Sequence, residues 1–427
     1  MRILIKNGRL IDPASDRDEK VDILVNESHV EKIDREIPQT GAGAQVIDAA
    51  GLVIAPGLID MHTHLREPGY EYKETIRTGA QAAVRGGFTT IVCMANTDPV
   101  NDNRSVSGFI VRKAQADAFC RVFPCGAITK GLKGEELSQI GEMYEAGIVA
   151  LSDDGKTVKN AGLLLKAMEY AKRFALPIVS HCEDENLAQG VVHEGHASLI
   201  SGLDAVPALA EETIALRDIM LAKYIDAPIH ITHISSGGTV RIVRDEKTRY
   251  GRLTADTCPH YFTLSDDATL TYDTNTKVNP PLRSREDVKA VREGLRDGAI
   301  DIIATDHAPH DVPSKDVEFN LASFGIVGLE TGLALSLALV HDGVLTLKEL
   351  LRKLTENPAR LLNLPYGSLL EGSTADLIIF DPDAEWIVDK IQFASKGRNT
   401  PFHGWKLKGK NRLTMVDGKI VYRDPSF

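Results

Sequence analysis

Eight short apolar runs, separated by segments of helical period, constrain this fold more than any other feature of the chain. They are Gly57 to His62, Thr89 to Asn96, Cys120 to Ile128, Ile148 to Asp154, Pro177 to Glu183, Pro228 to Ser235, Arg252 to His260 and Ile300 to His307. Helical stretches lie between them, for example Glu71 to Arg85, Leu163 to Phe174 and Glu211 to Tyr224. Apolar strands alternating with helices are the pattern of βα units on a parallel sheet. Eight such units in roughly 300 residues predict an α/β fold, a closed (β/α)8 barrel of TIM type, with an open doubly wound sheet as the alternative.

The two ends of the chain read differently. Ile3 to Ile5, Asp22 to Val25 and Gln45 to Asp48 at the start, with Ala375 to Phe380 and Leu413 to Tyr422 near the end, are strands broken by polar turns and by Asp417-Gly418. Residues 1–55 and 366–427 therefore predict one small β-sandwich domain built from both termini, and residues 56–365 the barrel.

The chemistry lies at the strand ends. Run one finishes in His62 and His64, run two in Asn96, run four in Asp153 and Asp154, run five in His181, run six in His233, run seven in His260, and run eight in Asp306 and His307. A barrel gathers the C-termini of its strands around one mouth, so these distant residues are expected to converge there. His62 and His64, two apart on a strand, share a face and can grip one ion. A carboxylate such as Asp306, following Ile302-Ile303-Ala304-Thr305, is costly to bury unless a cation neutralises it. Taken singly, each of these residues also admits a structural role. Four histidines and two carboxylates exceed what one tetrahedral ion needs and suit two adjacent ions sharing a carboxylate, with zinc favoured and manganese or cobalt as replacements.

Composition narrows the partners. A formal charge of -11 argues against nucleic acid or an anionic membrane surface as a general partner, while leaving room for a small anion met by local cations. The start of the chain alternates apolar and polar residues, unlike a signal peptide, and no window approaches a membrane-spanning length. Five scattered cysteines without a Cys-x-x-Cys pair suit a reducing cytoplasm.

Several motifs are more specific. Asp60-Met61-His62-Thr63-His64-Leu65-Arg66-Glu67-Pro68-Gly69, Met94-Ala95-Asn96-Thr97, Ser152-Asp153-Asp154-Gly155, His181-Cys182-Glu183-Asp184, Asn279-Pro280-Pro281-Leu282-Arg283 and Ala304-Thr305-Asp306-His307-Ala308-Pro309-His310 resemble, in this order, class I dihydroorotases of the amidohydrolase superfamily. The likeness continues in Asn357-Pro358-Ala359-Arg360 and in Ser395 to Phe402. It implies a cytoplasmic hydrolase of cyclic amide C–N bonds that interconverts N-carbamoyl-L-aspartate and L-dihydroorotate in pyrimidine biosynthesis, with two zinc ions per subunit.

By the same resemblance His62, His64 and Asp306 hold one zinc, His181 and His233 the second, and Asp154, just before Gly155, bridges them. Asp306 is the implied catalytic proton carrier, and Arg66, Asn96, Asn279 and His310 the implied substrate contacts. Hydantoinases and many allantoinases, the alternative cyclic amidohydrolases, bridge their metals with a carboxylated lysine at the end of the fourth strand. Here that strand has none, and Lys156 lies two residues beyond it. A non-catalytic subunit supporting aspartate transcarbamoylase is the other alternative; its mark would be lost ligands, and all six are kept. A homo-oligomer, with or without aspartate transcarbamoylase, is the expected assembly. The segment Asp311 to Gly328 reads either as a lid over the mouth or as a solvated connector.

Overall fold

A computed structural model describes residues 2–38 and 44–427. Eight parallel strands form the barrel in chain order: Leu58–Thr63, Phe88–Cys93, Arg121–Gly126, Ala150–Leu151, Ile178–Ser180, Ile229–Ile231, Leu253–Thr257 and Ile302–Ile303. Each lies within one of the eight apolar runs or overlaps it. The sheet is closed by a parallel bridge between Thr63 and His307 and by the His64 N–H donating to the His307 carbonyl at 2.8 Å. Closure excludes the open doubly wound alternative. Every residue of the first two strands is buried, as expected for strands covered on both faces.

Helices ring the strands. The first, Ile76–Gly86, starts later than its periodicity suggests, because Thr75 caps it through a hydrogen bond from the Thr78 N–H. It ends at Gly87, whose φ of 94° a side chain would oppose, and the chain turns at once into the second strand. The other two predicted helices appear at Ala161–Lys172 and Leu209–Ile225.

Both termini contribute to a second sheet, in which Lys419–Arg423, Lys406–Val416, Leu377–Ile387, Val53–Pro56, Arg2–Asp12, Arg17–Asn26 and His29–Asp34 follow one another, and Gln45–Asp48 pairs with Arg2–Asp12. Strand Val53–Pro56, which was not foreseen, locks the two ends together: it pairs with Leu377 to Phe380 on one side and with Arg9 and Leu10 on the other. Alternation then joins the two units. Ile54, Leu377 and Ile379 enter the apolar cluster of the terminal sheet, while Val53, Ala55, Ile378 and Phe380 enter that of the barrel. Gly57 and Leu58 continue from this strand directly into the barrel, so the first metal-type residues sit only a few positions from a doubly anchored support.

Candidate metal centre

The predicted ligands meet at the C-terminal mouth of the barrel. His62 Nε2 lies 3.3 Å from Asp154 Oδ1 and 3.5 Å from Asp306 Oδ1. His64 Nε2 lies 3.0 Å from Asp306 Oδ1 and 3.5 Å from Asp154 Oδ2. On the other side of Asp154, His233 Nε2 and His181 Nδ1 are 3.3 and 3.5 Å from Oδ1, and 2.8 Å from each other. Asp154 thus belongs to two groups of ligand atoms, one with His62 and His64 and one with His181 and His233, each within 4.8 Å.

Its neighbour Asp153 faces elsewhere and accepts hydrogen bonds from the Ile128 and Thr129 N–H groups at 2.7 and 2.9 Å. Lys156 is exposed and turned toward Glu185, so no lysine approaches the cluster from the fourth strand.

Electrostatics show what this cluster is fitted to hold. Burial works against charge on His62, yet Asp154 and Asp306 together push it up to about 10. His62, His181 and His233 hold the Asp154 carboxyl well below the usual range, and His64 and His62 hold Asp306 at about 2. Two buried carboxylates therefore recruit protons onto imidazoles where a cation would otherwise neutralise them. His62 Nε2 and His181 Nε2 are buried without any hydrogen-bond partner. Orphaned imidazole nitrogens beside unneutralised carboxylates fit a nitrogen- and oxygen-ligated metal.

The ligands are held by neighbours that sequence patterns did not single out. His62 Nδ1 meets Thr232 Oγ1 at 2.9 Å, and that hydroxyl donates to Asp256 Oδ2. Asp256 also accepts the His233 N–H at 2.6 Å, fixing a residue whose φ is 41°. Asp60, raised to about 6 by complete burial, accepts from the backbone and hydroxyl of Thr305, next to Asp306 with its φ of 48°. Left-handed backbone at non-glycine residues costs about 1 kcal/mol or more, and here buried carboxylates hold it in place. The available signal was an aspartate within a barrel strand, once at 60 and once at 256.

A cavity of about 330 Å³ opens onto the cluster and is lined by His64, Asp154, His181, His233 and Asp306 together with Arg66, Asn96, Asn279 and His310. All four predicted substrate contacts are therefore brought to it. Arg66 pairs with no carboxylate among the described residues; it approaches only the Pro309 carbonyl at 3.3 Å and His310 Nε2 at 3.4 Å. An arginine that faces a cavity with no carboxylate partner can receive an anion there. Asn96 has a second task, since its Oδ1 meets His64 Nδ1 at 2.9 Å. His310, which burial and nearby Arg66 lower to about 2, stays neutral and reaches the Phe324 carbonyl at 2.8 Å.

Phe324 and Gly325, which also line the cavity, belong to the segment following the eighth strand. That segment contains a short helix, Val312–Lys315, and is tied down by two buried lysines, one outside it and one within. Lys277 donates to the carbonyls of Phe319 and Asn320 at 2.9 Å, and Lys315 to that of Ser323 at 2.7 Å. His260 and His307 lie outside both ligand groups around Asp154; His307 accepts from the Gly328 N–H at 3.2 Å and faces Glu74.

Comparison with known proteins agrees with this architecture. The pattern of the amidohydrolase family matches residues 53–421. The chain is 51% identical over 425 residues to a dihydroorotase of Syntrophus aciditrophicus, covering 99% of this chain and 100% of the relative. It is 52% identical over 426 residues to a dihydroorotase of Pelotomaculum thermopropionicum, covering 99% of each. Among solved structures, an L-hydantoinase (dihydropyrimidinase) from Arthrobacter aurescens superposes with a TM-score of 0.89 at 26% identity, covering 99% of this chain and 96% of that one. A dihydropyrimidinase from Brevibacillus agri, at 22% identity and a TM-score of 0.86 over 99% and 95% of the two chains, shares the fold.

Proposed function

Because the chain belongs to the amidohydrolase family, we propose that it is a dihydroorotase, a metal-dependent hydrolase of a cyclic amide C–N bond, acting between N-carbamoyl-L-aspartate and L-dihydroorotate plus water in pyrimidine biosynthesis. Full-length relatives at about half identity support the activity. The observation that carries the site chemistry is the unpaired Arg66 on the same small cavity as the Asp154 cluster, because the substrate is a ring amide bearing a free carboxylate.

His62, His64 and Asp306 would hold one zinc ion and His181 and His233 a second, with Asp154 a ligand common to both groups, and the metals would supply Lewis acidity and a water that ionises near neutral pH. Arg66 binds the ring carboxylate through its planar fork, and Asn96, Asn279 and neutral His310 fix the ring's remaining polar atoms. Asp306, ionised at neutral pH, takes the proton from the attacking water at a carboxylate oxygen and delivers it to the departing ring nitrogen. In the biosynthetic direction it removes that proton from the carbamoyl nitrogen as the ring closes.

The terminal sheet, residues 1–55 with 366–427, serves in this reading as the support, and residues 56–365 as the catalytic unit. Five free, buried cysteines support a cytoplasmic setting. No helix among the described residues is long and apolar enough to cross a membrane. We include a homo-oligomer in the proposal, and docking on aspartate transcarbamoylase is compatible with it. The experiment is Asp306→Asn: turnover should fall by about a thousandfold or more with the fold intact. Retention of a tenth of the rate would refute the role.

A further inference from the structure

A third set of donors adjoins the centre, formed by Asp306 with two residues, Cys258 and His260, that take no part in the chemistry described above. Cys258, at the end of the seventh strand, His260, on the short helix Pro259–Thr263, and Asp306 bring a thiol sulfur, an imidazole nitrogen and a carboxylate oxygen within 4.8 Å of one another. All three are buried, with Cys258 fully enclosed and His260 only 2% exposed. His260 Nε2 has no hydrogen-bond partner, although buried imidazole nitrogens are ordinarily paired. Neither Cys258 nor His260 belongs to the two groups that share Asp154, so ions held there leave both free. A thiol, an imidazole and a carboxylate converging away from solvent are a donor set for a thiophilic divalent cation.

We propose that Cys258, His260 and Asp306 form a third, inhibitory cation site that takes zinc or cadmium when either is in excess. Binding displaces the Cys258 thiol proton to solvent and forms a metal–sulfur bond. Its consequence follows from Asp306. That carboxylate turns Oδ1 toward His64 at 3.0 Å and His62 at 3.5 Å, and a further cation on its remaining lone pairs removes the base that must carry the substrate proton. Inhibition thus rests on the proton role proposed for Asp306, whereas binding rests only on the three donors.

The test uses the full chain loaded with its own complement of zinc. Cadmium is titrated into the wild type and into Cys258→Ser, following the ultraviolet thiolate-to-cadmium charge-transfer band alongside dihydroorotate turnover. The wild type should develop the band with one further equivalent and lose turnover in parallel by about tenfold or more, whereas Cys258→Ser should show neither change and start from the wild-type rate. His260→Gln should keep the band and weaken cadmium binding by more than about tenfold. An undiminished band in Cys258→Ser, no band in the wild type, or equal inhibition of both proteins would overturn the proposal. A Cys258-dependent band in a protein that does not turn over dihydroorotate would leave the cation site standing and refute the activity instead.

Discussion

His62 turns its Nδ1 to the hydroxyl of Thr232 at 2.9 Å, and so directs Nε2 at Asp154, 3.3 Å away. Thr232 spends its own proton on Asp256, so its oxygen accepts from His62 Nδ1–H and leaves the Nε2 lone pair for a metal. Thr232→Val removes that acceptor with little change in shape. Metal affinity should fall by about ten- to a hundredfold, read by titration against a chelator, and the unpaired Nδ1–H should cost about 1–3 kcal/mol of stability. Unchanged affinity would mean that packing alone orients His62.

Removing the metals should make stability depend on alkaline pH. His62 is raised from 6.5 to about 10 because Asp154 and Asp306 outweigh its burial. A base whose pKa is raised on folding stabilises the fold fully below its unfolded value, and that contribution is lost as pH climbs through the folded one. Asp306, lowered to about 2, contributes above its ordinary 3.8 and loses that contribution only in strong acid. The metal-free protein should therefore lose stability from about pH 7 to pH 10. His62→Asn should flatten that slope, as should reloading with zinc. Denaturant melts at both pH values test this, and a slope unaffected by His62→Asn would count against it.

Arg66 should govern substrate binding more than turnover. It has no carboxylate partner among the described residues and faces the cavity, held only by the Pro309 carbonyl and His310 Nε2. Arg66→Met should raise KM by about a hundredfold, the worth of a charge-assisted pair near 3 kcal/mol. Arg66→Lys should recover only part of this, since a point charge cannot match a carboxylate in two parallel bonds. A drop in kcat with KM unmoved would assign Arg66 to another task.

Asn399 ties the C-terminal segment to the cavity. Its Oδ1 accepts the His310 N–H at 2.9 Å, and its Nδ2 donates to the carbonyls of Ala308 at 2.9 Å and Gly325 at 3.0 Å. Asn399→Ala leaves the His310 N–H and the Ala308 carbonyl unpaired, while the Gly325 carbonyl keeps its bond from Lys315 Nζ at 3.2 Å. The expected cost is about 1–3 kcal/mol of stability and a KM raised about tenfold, measured by melts and steady-state rates. A variant with wild-type KM would show that His310 keeps its place without this clamp.

The barrel and its ligands were legible because both depend on periodicity. An apolar run ending in a histidine or aspartate marks a strand that opens at the mouth, and all eight runs carry barrel strands. What remained hidden depends on partners remote in sequence. Its place before Gly155 marks out Asp154 over Asp153, but the Thr129 backbone and hydroxyl that engage Asp153 were not legible. Thr232 and Asn399 are ordinary residues until folding sets them beside His62 and His310. Strand Val53–Pro56 escaped because its two faces serve two different cores, so its four buried residues lack the alternation of a half-exposed strand. The segment after the eighth strand read as a lid or a connector; its tethering by Lys277 and Lys315 depends on backbone carbonyls, which sequence patterns do not mark.

The most direct measurement is turnover of dihydroorotate by the purified, zinc-supplemented chain, followed by loss of its ultraviolet absorbance beside hydantoin and allantoin, with metal content determined on the same sample. Turnover of dihydroorotate alone, with about two ions per chain, is the expected result. Turnover confined to hydantoin or allantoin would contradict it and undo the roles given to Arg66 and Asn96.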